Sequence, residues 1–493
     1  MRPSDPTTDV PAPQSQSSAL EKPTGLLRTL GVFSNFAVSF SIISVITGIA
    51  TMYDYGLSTA GPREITLGWP IVVLGTLLVA SSMAELCSAV PTSGAMYDWA
   101  AALGGPTSAW FAAWFNIIGL IAAVGGVDYG CARFLAPMLG MESNTATLLL
   151  VCALVLLSHG VANHFGIKLV GYLSRLSVTI EVLGVAMLLG ALWLIPPKQP
   201  PAFLLQTFSA STVHAPYFWL FILGLLHAEW IFTGYDASAH IAEETVDARR
   251  RAPLGLVSSV VTSGIIGYAL ILSVTWVIPN ISSILNAQDS GKNPLPAVLA
   301  IISTTLGSRT GTAMLWLVIL SMWFCGLACV TSLSRTIFAF ARDKGLPFSH
   351  LWSRISAEHH TPAPAVWLSV VLSFVILLYS DAMPVVASLC VLGFYLSYFI
   401  PIFLGWRRKK KWISQRGPWH LGRASNVINV LALVWIVCVC FITVMPPNAL
   451  AGYAIVGVIV VLYALNRFTG PHQVRKHEWE LGGQQTIAAS EES

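Results

Sequence analysis

The sequence predicts an all-α polytopic membrane protein with twelve membrane-spanning helices. Three observations carry that expectation. Of 493 residues, 55% are apolar or aromatic and only 10% are charged, whereas a soluble globular chain carries roughly 25% charged residues. Soluble cores stop growing at about 250–300 residues, so a mean hydropathy of +0.69 over this length calls for a bilayer as solvent. The third observation is a series of apolar runs near the ~20 residues needed to cross a hydrocarbon core. They fall at about 31–52, 66–90, 107–136, 145–163, 169–195 and 216–240, then at about 254–279, 312–340, 363–381, 384–405, 427–446 and 449–466.

Between the second and third runs, residues 91–105 (PTSGAMYDWAAALGG) are too short to span and are expected at the interface or as a re-entrant segment. The last two runs are separated only by a tight turn at Met445-Pro446-Pro447-Asn448. The first 25 residues are rich in Pro, Ser, Thr and Gln and lack an apolar h-region, so the first span is expected to be its own insertion signal. The organisation is read as a disordered tail over 1–30, a transmembrane domain over 31–466 and a second tail over 467–493.

Charge sorting gives sidedness. Twelve spans place both termini on one side. The opposite side carries only Arg63, Arg133, Lys198, Lys292 and Arg309, and the other 22 of the 27 cations fall on the terminal side. By the positive-inside rule both termini are cytoplasmic, and the expected location is the plasma membrane. The net charge of +4 therefore reports topology and not a nucleic-acid partner. The basic run Trp406–Trp412 (WRRKKKW) reads first as a topology anchor with a tryptophan at each end, and second as a contact for anionic lipid. Eight cysteines lie mostly in or beside apolar runs without a CxxC or Cys/His cluster, so neither a metal site nor a disulfide framework is expected. No cofactor and no nucleotide loop of the GxxxxGK[ST] type is expected either.

Two spans contain helix-weakening stretches five spans apart. Ser44-Val-Ile-Thr-Gly-Ile-Ala50 places Thr47 and Gly48 in mid-membrane, and Trp230-Ile-Phe-Thr-Gly-Tyr-Asp236 places Gly234 at similar depth. Paired interrupted helices point to a binding site, because backbone freed inside a bilayer is tolerated only where a cavity, ligand or ion satisfies it. Close helix packing is the competing explanation for each glycine. Carboxylates at membrane depth are costly, which singles out Glu181 in the fifth span and Glu229 and Asp236 in the sixth. Glu229 suits a substrate ammonium or a coupling proton, and a hydrogen-bonded acid that braces the bundle is the alternative. Glu181 is read as structural or proton-linked, and Glu85 as an end cap or ion-pair partner. Trp230, Trp323 and Phe324 are candidates to wall a cavity. Sodium would need hydroxyls such as Thr331 and Ser332 on the eighth span. His159, His164, His227 and His240 show no ligand spacing, so an intramembrane enzyme is not expected.

Residues 232–245 (FTGYDASAHIAEET), continuing through Ala252-Pro253, resemble a signature of the amino acid–polyamine–organocation (APC) superfamily of permeases. The nearest resemblance is to its amino acid/choline branch, which includes GABA and choline permeases. Residues 82–94 (SMAELCSAVPTSG) and 334–347 (SRTIFAFARDKGLP) look like two further motifs of that superfamily, in the same order. The resemblance implies a 5+5 inverted repeat over about 31–195 and 216–405, plus two extra helices. It also implies a secondary transporter that moves amino acids or related small amines by alternating access. The alternatives are a choline, GABA or polyamine permease, or a non-transporting nutrient sensor.

By similarity, backbone groups near Thr47, Gly48 and Ile49 would receive a substrate carboxylate, and those near Phe232 and Gly234 would help hold its amine. The residues' own placement at the two breaks adds Ser44, Glu229, Trp230, Thr233 and Asp236 to the expected substrate site. Glu181 would serve coupling, with a proton favoured over sodium, and Glu243 and Glu244 would gate against Arg335 or Arg342. Two positions depart from the pattern: Asp98 replaces a usual aromatic, and Glu229 a usual uncharged residue. Either change would suit a more cationic substrate.

Overall fold

A computed structural model describes residue 28 and residues 30–469, apart from 166, 197, 290, 357, 360, 380–382, 413 and 415. The expected tails up to residue 27 and from residue 470 lie outside the described residues. The protein is an all-α polytopic membrane protein, and strand pairing among the described residues is confined to two isolated bridges, Leu30 with Thr245 and Gln288 with Pro294.

All twelve apolar runs become helical. Ten are long apolar segments: Val32–Thr59, Pro62–Ala89, Pro106–Met138, Thr145–His164, Arg175–Trp193, Ala248–Trp276, Gly307–Arg342, Met383–Arg407, Gly422–Thr443 and Ala449–Asn466. The sixth and ninth runs are shorter, Tyr217–Ile231 and Ala363–Leu378. Local chemistry sets their ends. Pro62 and Pro106 open the second and third spans at the position where a missing N–H costs nothing. The Asn144 side chain caps the fourth span by accepting from Thr147 N.

Burial separates an interior from a rim. In the tenth span 83% of the apolar window is buried, against 17% in the twelfth. The eleventh instead exposes Val427, Leu431, Val434, Val437 and Phe441, and the fourth exposes Leu150, Leu154, Leu157 and Val161. Such apolar stripes are unfavourable in water and suit lipid. The third and tenth spans cross in the interior at two glycines. A Cβ on Gly393 would lie 2.6 Å from Gly119 Cα, so only glycine permits that backbone approach.

The segment after the second span forms a short helix, Met96–Gly104, which does not cross. Its Trp99 is buried and donates to Val90 O, and the helix packs on the third and tenth spans. Trp412 also departs from its expected interfacial position. It is buried and donates to Gly405 O, folding the basic run back on its own helix. Glu85 is an ion-pair partner as expected, 3.5 Å from Arg416 Nη2, and it also accepts from Ser425 Oγ.

Candidate functional site

Both weak stretches interrupt their helices. The first span is a helix over Val32–Ile43 and another over Val45–Thr59, joined at Ser44, where φ is +28° and ψ 86°. The break lies at the first residue of the stretch singled out by sequence, so Thr47, Gly48 and Ile49 form the opening turn of the second half-helix. Ser44 makes this possible. Its hydroxyl accepts from Thr47 N at 3.4 Å, satisfying one of the N–H groups that a helix start leaves open, and its carbonyl accepts the first intrahelical bond, from Gly48 N at 2.9 Å. The sixth span runs as Tyr217–Gly224 and Leu226–Ile231, leaves the helix at Phe232, and resumes as Ala237–His240. Gly234, at φ +74°, takes the left-handed conformation that side chains disfavour.

The two breaks meet. A Cβ on Gly48 would lie 2.4 Å from Ile231 Cγ1, and one on Gly234 would lie 2.3 Å from Ile42 Cγ2. Beside this contact is a small cavity lined by Ile43, Thr47 and Gly48 of the first span and Trp230, Ile231 and Thr233 of the sixth. Val127, Cys325, Cys329 and Phe394 close it, and no charged side chain lines it among the described residues. Trp230 Nε1 donates to Thr51 Oγ1, whose own hydroxyl reaches the carbonyls of Thr47 and Gly48. That chain ties the cavity wall of the sixth span to the opening turn of the first. Phe232 packs edge-on to Trp69 at 5.1 Å between ring centres.

The membrane-depth acids sit around the cavity, each engaged elsewhere. Glu181 reaches the first-span break, where Oε1 accepts from Ile46 N at 3.1 Å and Oε2 from Ser44 Oγ at 3.0 Å. It is a carboxylate seated on a helix N-terminus, the place where backbone N–H groups and the helix dipole favour an anion. Asp236 accepts from Asn116 Nδ2 and pairs with His240 Nε2, both at 3.2 Å. Glu229 is buried on the other face of its helix, toward Tyr395 of the tenth span. Trp323 and Phe324 lie off the cavity in a T-shaped pair. Thr331 donates to Asn163 Oδ1 of the fourth span.

A polar layer closes the end of the molecule where the chain enters. Arg335 Nε lies 3.8 Å from Glu244 Oε1, the juxtaposition expected from sequence, while Glu243 Oε1 accepts from Ser93 N. His240 Nδ1 lies 3.1 Å from Ser93 O. Asp98, on the short helix, belongs to this layer and not to the cavity. Gly94 packs against its carboxylate, and Glu243, Asp343 and Arg342 surround it. Burial first, and then the neighbouring carboxylates, push the Asp98 carboxyl up to about 6. A carboxyl raised in the folded state is a stability cost that grows as pH climbs from its unfolded value through 6. Asp98→Asn is therefore expected to stabilise the protein at pH 7.5 by about 3 kcal/mol at most, read as a higher melting temperature. The gap should close as pH falls toward about 4, and a gap independent of pH in detergent melting curves would contradict this origin.

The amino acid permease family model matches residues 30–465, most of the chain. The chain belongs to the amino acid permease family. The permease is 34% identical over 446 residues to the amino-acid permease BAT1 homolog of Oryza sativa subsp. japonica, covering 85% of each chain. It is 33% identical over 484 residues to the amino-acid permease BAT1 of Arabidopsis thaliana, covering 90% of this chain and 93% of that one. It is 29% identical to amino-acid permease 2 of Neurospora crassa, over 83% and 77% of the two chains. The relatives are transporters, and the permease is a membrane amino acid transporter, not an enzyme.

Sequence reading found no pattern in the histidines of the permease, yet three of them pair with buried acids. His159 lies 3.1 Å from Asp128, His227 lies 3.4 Å from Glu64, and His240 completes the set with Asp236. Only the last pair carries a sequence signal, its i,i+4 spacing. The others join separate spans.

Proposed function

We propose that the permease moves amino acids across the plasma membrane by alternating access, with both termini cytoplasmic and with proton coupling or exchange as the driving force. The observation that carries this reading is the cavity between the two interrupted spans, with a helix N-terminus opening at its edge. A substrate carboxylate would be received by the opening turn around Thr47, Gly48 and Ile49, next to Ser44. Its amine would face the non-helical backbone near Phe232 and Gly234, beside Thr233 and Trp230. Glu181 already holds the same N-terminus, so it acts as an internal anion that a substrate must displace. The apolar remainder of the cavity would take the substrate side chain.

Spans 1–5 and 6–10 act as the two inverted repeats, and rocking of one bundle around the first and sixth spans exposes the cavity to each side in turn. Glu244 with Arg335, and Glu243 with the Ser93 backbone, form the cytoplasmic gate. The 22 cations on the terminal side support that orientation.

Proteoliposome counterflow tests the reading. Purified protein should take up labelled amino acids faster when the vesicles are preloaded with the same compound. An imposed proton gradient should drive accumulation and a sodium gradient should not. Uptake that preloading fails to accelerate would refute a carrier.

A further inference from the structure

On the face of the sixth span turned from the cavity, four spans enclose a second polar site. Both oxygens of Glu229, Thr76 Oγ1 of the second span, Tyr395 Oη of the tenth and Trp435 Nε1 of the eleventh are buried there. None of these five atoms makes a well-formed hydrogen bond to another protein atom among the described residues, although the Tyr395 hydroxyl comes within reach of Glu229, Thr76 and Trp435. They face one another, with the Tyr395 hydroxyl directed toward Glu229, Thr76 and Trp435. Gly75 admits the indole, since a Cβ there would lie 2.1 Å from Trp435.

Each buried polar group without a partner costs about 1–3 kcal/mol, and an ionised one costs more. Native interiors avoid this, so five such atoms at one point imply an occupant. The donor inventory narrows it. An indole only donates, an ionised carboxylate only accepts, and a hydroxyl does either. A metal ion is disfavoured because an indole N–H, which only donates, is one of the groups. A water molecule matches the inventory, able to accept from Trp435 and donate to Glu229.

We propose that Glu229, Thr76, Tyr395 and Trp435 hold a water-bridged proton site separate from the substrate cavity, and that Glu229 carries the coupling proton. The step balances simply: a hydronium gives its proton to the Glu229 carboxylate and leaves water in the site, and the reverse releases it. The titratable groups facing Glu229 are Tyr395, Tyr235 of its own span and Cys440 of the eleventh. No lysine, arginine or histidine faces it among the described residues, so no cation pins it in the ionised form. Nearby His227 is held by Glu64. Adjacent residues link the two sites, because Trp230 lines the cavity while Glu229 faces the water. A movement of Leu226–Ile231 that alternates access therefore shifts both together.

This inference rests on the transport reading above, and the experiment separates the two. Full-length wild type, Glu229→Gln, Trp435→Phe and Thr76→Val are reconstituted, with labelled alanine, leucine, lysine and GABA as probes and pyranine reporting internal pH. Glu229→Gln should keep counterflow within about twofold of wild type, while gradient-driven accumulation and the accompanying pyranine signal fall by about tenfold or more. Trp435→Phe and Thr76→Val should shift the pH profile of accumulation and leave counterflow intact, which keeps the proposal testable if Glu229→Gln fails to fold. Gradient-driven accumulation surviving in Glu229→Gln would overturn it. So would loss of counterflow in a monodisperse Glu229→Gln protein, or unchanged pH profiles in both other variants. Absence of counterflow in the wild type would instead defeat the transport reading.

Discussion

Gly48→Leu is expected to abolish substrate binding and transport while the protein still inserts and purifies as a monodisperse species. The reason is where the clash falls. A Cβ on Gly48 meets Ile231 not at the tip of a long side chain but at Cγ1, Cβ and Cγ2, at 2.4, 3.0 and 3.0 Å. A β-branched side chain is stiff about χ1, so relief requires the first and sixth spans to separate. Separation pulls Thr47 and Trp230 apart across the cavity and breaks the Trp230–Thr51 hydrogen bond that spans it. Overpacking of this kind costs about 1–3 kcal/mol, small against the packing of twelve spans but concentrated on the site. Gly48→Ala should then lower uptake by about tenfold, and Ile231→Ala in that background should restore part of it. Normal transport by Gly48→Leu, or a double variant no better than Gly48→Ala, would remove the contact from the mechanism.

The architecture was legible because it rests on composition and length. Each span needs only about 20 apolar residues, and all twelve runs emerge as helices. The breaks were legible as well, since glycine and hydroxyl residues at membrane depth require a cause. The first break falls at Ser44, the opening residue of the flagged stretch, because Gly48 serves packing against Ile231 and the cap chemistry belongs to serine. Periodicity places Glu229 and Trp230 in one span, and it takes the neighbouring helices to show that one faces Tyr395 and the other the cavity. The acid and histidine pairs were hidden for the same reason. Asp128 and His159 lie 31 residues apart on different spans, a contact that only the tertiary fold creates. Asp98 broke the family pattern, and its place in the polar layer with Glu243 and Asp343 removes it from the cavity wall.

Glu181→Gln is expected to tighten substrate binding while it collapses net uptake. In the described state the Glu181 carboxylate accepts from Ile46 N and Ser44 Oγ at the first-span break. A carboxylate at a partly buried helix N-terminus gains up to about 2 kcal/mol from the dipole and the open N–H groups. An incoming amino acid must displace that anion before its own carboxylate takes the site, so the occupant lowers apparent affinity. Glutamine keeps the shape, loses the charge and competes less well, so affinity in detergent should rise by about tenfold. The same loss hinders the empty carrier. When substrate leaves, Ser44 and the opening turn are again buried without an anion, and Glu181 is the group positioned to retake them. The variant should therefore exchange preloaded amino acid but fail to return empty, so net uptake falls while counterflow persists. Glu181→Asp, one methylene shorter, should be impaired in both because it cannot span from the fifth helix to Ile46 N. Weaker binding in Glu181→Gln, measured by titration calorimetry beside the wild type, would show that this carboxylate supports the substrate site and does not compete for it.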